Sequence, residues 1–214
     1  MNGRILSSSY LEKWLTFTEK GRFFYSPPHA EWIYSKDFLS VEEAASLQEI
    51  LLKNIHWKQE EVKIFGKRIP QPRLTAWHGD KGTTYTYSGL HLPPEPWIPE
   101  LLELKKKVEA FCGHRFNSVL LNQYRHGQDS MGWHSDDEKE LGTNPVIASL
   151  SLGENRTFQL KHKSEKEIPT ISFDLPSGSL FVMKGETQTS WKHQVPKTKK
   201  SKTMRINLTF RFIH

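Results

Sequence analysis

The chain has almost no cysteine. Cys112 stands alone among 214 residues, so no disulfide can form within the chain, and the usage fits a reducing compartment. Cys112 falls in an apolar helical stretch, where a buried, inert thiol is expected rather than a nucleophile. Long apolar runs are also missing. No stretch approaches the roughly 18 residues of a bilayer span, and the mean hydropathy is −0.62, so no membrane partner is expected. Met1 to Leu15 lacks the apolar segment of a secretory signal, and no internal repeat is visible. Acidic residues are fewer than basic ones, 24 against 30, which leaves a net charge of +6 and a pI near 9.3. That balance favours polyanionic partners without naming one. The ten histidines exceed the usual number for this length, and most are expected to be structural or exposed.

The length suits one domain, read in three parts. Residues 1–39 are expected to be an irregular aromatic extension packed on the rest, broken by Pro27 and Pro28. Residues 40–115 are expected to hold the helices and short strands. The capping box Ser40-Val-Glu-Glu43 opens a helix through about Asn54, with Ala44, Leu47, Ile50 and Leu51 at helical spacing. Glu60 to Tyr87 reads as short strands and turns, including a basic hairpin tip at Phe65, Lys67 and Arg68. A second helix runs from Pro96 to Phe111, with Pro99 near its start and Gly113 past its end. Residues 116–214 turn to β, with strands expected at 117–125, 145–152, 157–163, 169–175, 178–184 and 205–213. Helices leading a run of antiparallel strands suggest an α+β domain built on a sandwich or jelly roll.

The last strand is the most informative. Ile206, Leu208, Phe210 and Phe212 point one way, and Arg205, Asn207, Thr209 and Arg211 the other. Arg205 and Arg211 stand about 20 Å apart at roughly 3.3 Å per residue. Guanidinium forks on a half-buried strand suit an anionic ligand such as carboxylate or phosphate, although a solvated outer face has the same pattern. His134-Ser-Asp136 places two metal-ligand side chains on one side of an extended chain. A second histidine, for which His193 is the best candidate, completes two histidines and a carboxylate. That set leaves positions open on a non-haem Fe(II). Asn122 and Tyr124 share one face of the strand before His134. An arginine and neutral hydrogen-bonding groups beside a metal are what a chelating dicarboxylate needs.

These motifs, Asn122-Gln-Tyr124, His134-Ser-Asp136, His193 and Arg205 to Arg211, occur in the order of the AlkB family of Fe(II)- and 2-oxoglutarate-dependent dioxygenases, which the chain resembles over roughly Trp57 to Ile213. The resemblance implies a double-stranded β-helix (jelly roll) with supporting N-terminal helices and a lid of β-hairpins that recognises nucleotides. It implies His134, Asp136 and His193 as iron ligands, and Asn122, Tyr124, Arg205, Asn207, Thr209 and Arg211 around 2-oxoglutarate. Arg205 is placed at the distal carboxylate and Arg211 nearer the metal, an assignment the sequence leaves open. The implied chemistry consumes O2 and 2-oxoglutarate, hydroxylates an N-methyl group on a damaged base, and releases formaldehyde and succinate.

The substrate implied by the resemblance is alkylated DNA, with 1-methyladenine and 3-methylcytosine as lesions and duplex DNA tolerated. Tyr85 and Tyr87 would hold a flipped base, because chemistry on a base requires it to leave the stack. Asp137 and Glu138 would attract a cationic methylated base. Phe65 resembles the wedge of a finger hairpin that fills the gap in a duplex, with Lys67 and Arg68 reaching phosphates. Lys161 and Lys163, and the run Lys197 to Lys202, are candidate phosphate contacts. RNA or single strands are the alternative substrates. A metal-free nucleic-acid binding module and a zinc hydrolase are the other readings, and the arginine strand argues against the hydrolase. A monomer in a bacterial cytoplasm is expected, or a nuclear protein if the source is eukaryotic.

Overall fold

Local sequence logic accounts for most elements over residues 8–64, 66–83, 85–87 and 90–214, which the computed structural model describes. Helix α1 (Ser8–Trp14) leads into strands β1 (Leu15–Glu19), β2 (Arg22–Tyr25) and β3 (Glu31–Ser35). Helix α2 (Val41–Asn54) begins at the expected capping box. Glu43 N donates to Ser40 Oγ at 3.1 Å, and Ser40 N donates to the Glu43 carboxylate at 2.9 Å. The box satisfies two donors that a helix start otherwise leaves open. Strands β4 (Glu61–Ile64), β5 (Lys67–Pro70), β6 (Leu74–Gly79), β7 (Tyr85–Tyr87) and β8 (Leu90–Leu92) follow. Helix α3 (Pro99–Cys112) starts later than the expected Pro96, with Pro99 in its first turn. It ends at Gly113, whose φ of 63° is the left-handed conformation that glycine adopts without a Cβ clash. The rest is β9 (Ser118–Tyr124), β10 (Met131–His134), β11 (Ile147–Gly153), β12 (Arg156–His162), β13 (Ile171–Leu175) and β14 (Leu180–Lys184), then the short helix α4 (Thr187–Ser190), β15 (Trp191–Val195) and β16 (Arg205–Arg211).

The strands form one eight-stranded sheet, in the order β1-β2-β3-β14-β11-β16-β9-β6, and one four-stranded sheet, β10-β15-β12-β13. The hairpins β4-β5 and β7-β8 stand as separate two-stranded sheets. One face of the large sheet packs under α2 and α3, where Leu51, Leu101, Leu104 and Val108 meet Leu121, Leu150, Leu208 and Phe210. On the other face Trp32, Ile147, Phe181 and Met183 meet Phe158, Leu160, Phe173 and Trp191 of the small-sheet side. Strand β16 therefore buries Ile206, Leu208 and Phe210 towards the helices, and period-2 alternation turns Arg205, Asn207, Thr209 and Arg211 towards the small sheet. Among the described residues, no helix is long and apolar enough to cross a membrane.

Two expectations need correction. The expected double-stranded β-helix, or jelly roll, is not what the pairing forms. The α+β class holds, but the antiparallel sheets stay open and no barrel closes or curls. Among the described residues no ladder joins the large sheet to the small one, so β1 and β6 remain edges of one sheet and β10 and β13 of the other. Alternating patterns show which face a strand buries; they do not show whether the edges meet. From Ser8 onward the N-terminal stretch is not irregular either. Trp32 is buried in the core, and β3 runs antiparallel to β14 from Glu31↔Lys184 to Ser35↔Leu180. The backbone groups on that side of β14 find their partners there.

Candidate active site

Strands β10 and β15 are neighbours in the small sheet, and His134 and His193 are direct cross-strand partners in it. Asp136 follows β10 by two residues. One ligand atom from each of His134, Asp136 and His193 lies within 4.8 Å of the others. The His134 ring nitrogen Nδ1 is 2.9 Å from the Gly132 carbonyl. A carbonyl only accepts, so Nδ1 is the donor in this bond, which leaves Nε2 as the ring nitrogen on offer to a metal. His193 Nε2 is 3.8 Å from Asp136 Oδ2. Burial, then the neighbouring His134, push the His193 imidazole down to about 3, so it is neutral and able to ligate. For Asp136, burial alone would favour the protonated form. The Arg211 guanidinium, charged and hydrogen-bonded to it, outweighs burial and holds the carboxyl below its ordinary value. Arg211 Nη2 donates to Asp136 Oδ1 at 2.5 Å.

The large sheet supplies the facing wall. A cleft between the sheets is lined by His134, Asp136 and His193 and also by Asn122, Tyr124, Arg205, Asn207, Thr209 and Arg211. The structure thus brings together all nine residues expected at the metal and the co-substrate. The ladders explain how: Asn207 pairs with Asn122, and Arg205 with Tyr124, across β16 and β9. Arg205 is 1% exposed. Its Nη2 donates to Ser151 Oγ at 2.9 Å, while Nε and Nη1 are buried without a hydrogen-bond partner of good geometry among the described residues. The Tyr124 ring centre lies 5.3 Å from its guanidinium carbon. Burial lowers the Arg205 guanidinium to about 10, still charged at neutral pH. A buried cation with unpaired donors is costly unless a carboxylate completes it.

The other lining groups divide by role. Asn207 Nδ2 donates to Ser149 Oγ at 2.8 Å and to the Leu150 carbonyl at 3.0 Å, and Thr209 Oγ1 donates to Asn207 Oδ1 at 3.0 Å. Asn207 and Thr209 therefore shape the wall through their mutual bonds. Asn122 Oδ1 accepts from Arg73 Nε at 2.8 Å. That bond orients the amide.

The expected substrate residues are more scattered. Phe65 lies outside the described residues, as do the side chains of Tyr85 and Tyr87, whose backbone forms β7 paired with β8. Lys67 and Arg68 are exposed on β5, and Arg68 is 4.0 Å from Glu61. Lys161 Nζ sits 4.4 Å from the centre of the Trp133 ring. Lys163 is committed within the protein: its Nζ donates to Asp137 Oδ2 at 3.2 Å and to the Gln188 carbonyl at 2.8 Å. Glu138 is half-buried, and its Oε2 has no hydrogen-bond partner among the described residues.

Several supporting residues were not singled out in the sequence. Arg156 donates to the carbonyls of His126, Asp129 and Pro196, which ties the turn after β9 to the end of β15. Arg73 orients Asn122. Ser135 and Gln188 hold the turn that carries Asp136. These are long-range polar contacts of single residues, and no local motif announces them.

Comparison with known proteins agrees with the site. Residues 31–211 match the family described as the 2OG-Fe(II) oxygenase superfamily. The alpha-ketoglutarate-dependent dioxygenase alkB homolog 3 of Rattus norvegicus is 43% identical, over 83% of this chain and 62% of that protein. The DNA oxidative demethylase ALKBH2 of Bos taurus is 44% identical, over 71% of this chain and 57% of that protein. The chain thus spans about three fifths of the length of these relatives. The solved structure of OsALKBH1 superposes with a TM-score of 0.59 at 20% identity, covering 87% of this chain and 99% of that one, a likeness of fold.

Proposed function

Because the chain belongs to the AlkB family of 2OG-Fe(II) oxygenases, we propose that it is an Fe(II)- and 2-oxoglutarate-dependent dioxygenase that oxidatively dealkylates nucleic-acid bases. The donor set fits the metal: two imidazoles and a carboxylate on one face suit Fe(II) with positions left open. When bound, iron with O2 and 2-oxoglutarate supplies the oxidising power to hydroxylate an N-alkyl carbon. The hydroxylated carbon then leaves as an aldehyde, formaldehyde for a methyl group.

The protein's own groups bind and orient. His134, Asp136 and His193 hold the metal. Arg205, with Tyr124 beside it, takes the distal carboxylate of 2-oxoglutarate through its unpaired nitrogens. Arg211, already on Asp136, faces the end nearer the metal, and Asn122 adds a neutral donor. Burial keeps these charges strong by excluding water. The observation that carries the reading is the buried, half-satisfied Arg205 in the same cleft as the ligand triad.

The finer reading is a monomeric enzyme that repairs 1-methyladenine and 3-methylcytosine in DNA, duplex included. The relative named a DNA oxidative demethylase supports DNA. The unpaired Glu138 carboxylate supports a cationic base nearby. Tyr85 and Tyr87 would hold that base, Phe65 would fill the gap it leaves, and Lys67, Arg68 and Lys161 would meet phosphates. RNA or single strands are the second reading. Formaldehyde release measured side by side on methylated single-stranded DNA, duplex DNA and RNA tests the choice. Activity on DNA in both forms is expected, with Phe65→Ala lowering the duplex rate selectively. Equal losses on single and double strands would sink the wedge role, and activity on RNA alone would sink the DNA reading.

A further inference from the structure

The turn His134-Ser-Asp136 and the segment from α4 through β15 carry all three ligands, and three ties join them. Ser135 Oγ donates to the Trp191 carbonyl at 2.8 Å. Asp136 N donates to Gln188 Oε1 at 2.9 Å, and both residues are buried. Lys163 Nζ bridges Asp137 Oδ2, at 3.2 Å, and the Gln188 carbonyl, at 2.8 Å. Gln188 is held in turn, because its Nε2 contacts Met183 Sδ at 3.4 Å from within the core. Trp191 is held too, its Nε1 donating to the Pro28 carbonyl at 2.9 Å.

We infer that Ser135 and Gln188 are positioning residues that clamp the two ligand-bearing segments together and so set the metal site before the metal arrives. Strand pairing alone fixes His134 against His193. Asp136 lies beyond the end of β10, where no ladder reaches it, and its neighbours must supply the constraint. Arg211 holds its carboxylate from the large sheet. Gln188 holds its backbone N–H from the small-sheet side, and Ser135 anchors the residue before it. A carboxylate gripped at both side chain and backbone loses little freedom on ligation. Outer partners of this sort commonly govern metal affinity. The inference rests on the triad binding a divalent metal, as proposed above.

The test uses Mn(II) as the probe, titrated calorimetrically into the chain without 2-oxoglutarate or nucleic acid. Ser135→Ala and Gln188→Met each remove one tie with little change in volume. Each is expected to weaken Mn(II) binding by about tenfold or more. Ser135→Thr keeps the hydroxyl and is expected to restore affinity to within about threefold, less than the tenfold class of a lost outer partner. A merely structural role would lower the melting temperature and leave affinity alone. Variants that melt cooperatively and bind Mn(II) as the parent does would overturn the clamp. If Gln188→Met does not fold, the Ser135→Ala and Ser135→Thr pair decides alone. A parent chain that binds no Mn(II) would instead overturn the metal-site reading beneath it.

Discussion

His134 and His193 sit on the same rung of the small sheet, with ring centres 4.1 Å apart. Backbone pairing thus sets the spacing of two ligands that are distant in sequence. Asp136 completes the set, and Arg211 from the facing sheet grips it. The site is built across the gap between the two sheets, so each sheet depends on the other for it.

Replacing Asp136 should therefore cost stability as well as metal. Asp136→Asn keeps the shape and leaves Arg211 buried beside a neutral amide. The metal-free chain should lose roughly 3 kcal/mol, the class of effect seen when one partner of a buried pair is removed. Urea unfolding of the metal-free variant measures this, and calorimetry with Mn(II) should show binding abolished.

Arg205 and Asn207 should behave oppositely although both line the cleft. Arg205→Met removes a buried cation whose nitrogens are partly unpaired. The KM for 2-oxoglutarate should rise about 100-fold, as for the loss of a charge-assisted bidentate contact, with stability unchanged or raised. Asn207→Leu should leave Ser149 Oγ and the Leu150 carbonyl short of a donor and cost roughly 1–3 kcal/mol, with a smaller effect on KM. Steady-state kinetics and urea unfolding separate the two.

The contrast between these residues shows what could be read in advance. The two faces of β16 were legible because alternation survives in a strand buried on both sides. The other residues expected in the cleft rest on the His134-x-Asp136 spacing and on the family resemblance, and all nine line it. Strands β10 and β15 lie outside the strands expected from the sequence, yet they carry both histidines. Lys163 looked like a phosphate contact because its ties to Asp137 and Gln188 join residues far apart in the chain. Open sheet edges were invisible for the same reason: closure depends on where edges end up, not on which residues line them.

Asp129 gives a pH dependence outside the site. Burial by itself would raise its pKa, but Arg125 outweighs this and lowers it below the ordinary 3.8. Arg125 donates through N, Nε and Nη2 at 2.9, 2.7 and 3.0 Å. A depressed carboxyl contributes stability that is present above the unfolded value and lost as pH falls through the folded one. Asp129→Asn should be less stable than the parent by about 2 kcal/mol at pH 7, the class of a hydrogen bond to a charged group. The difference should shrink below pH 3.8. Urea unfolding across this range checks it.

Cys112 should be silent in the native chain. It closes α3 against the core, and burial pushes its thiol up to about 12. The thiolate is the reactive form. Thiol titration at pH 8 should find almost no reaction until denaturant is added, and then one equivalent per chain.

The most direct test of the account is product formation from 2-oxoglutarate with Fe(II), O2 and a methylated oligonucleotide. Succinate and formaldehyde should appear together, require Fe(II), and be lost when Asp136 or His193 is replaced. No succinate above background on methylated DNA or RNA, in a chain shown to be folded and loaded with Fe(II), would contradict it.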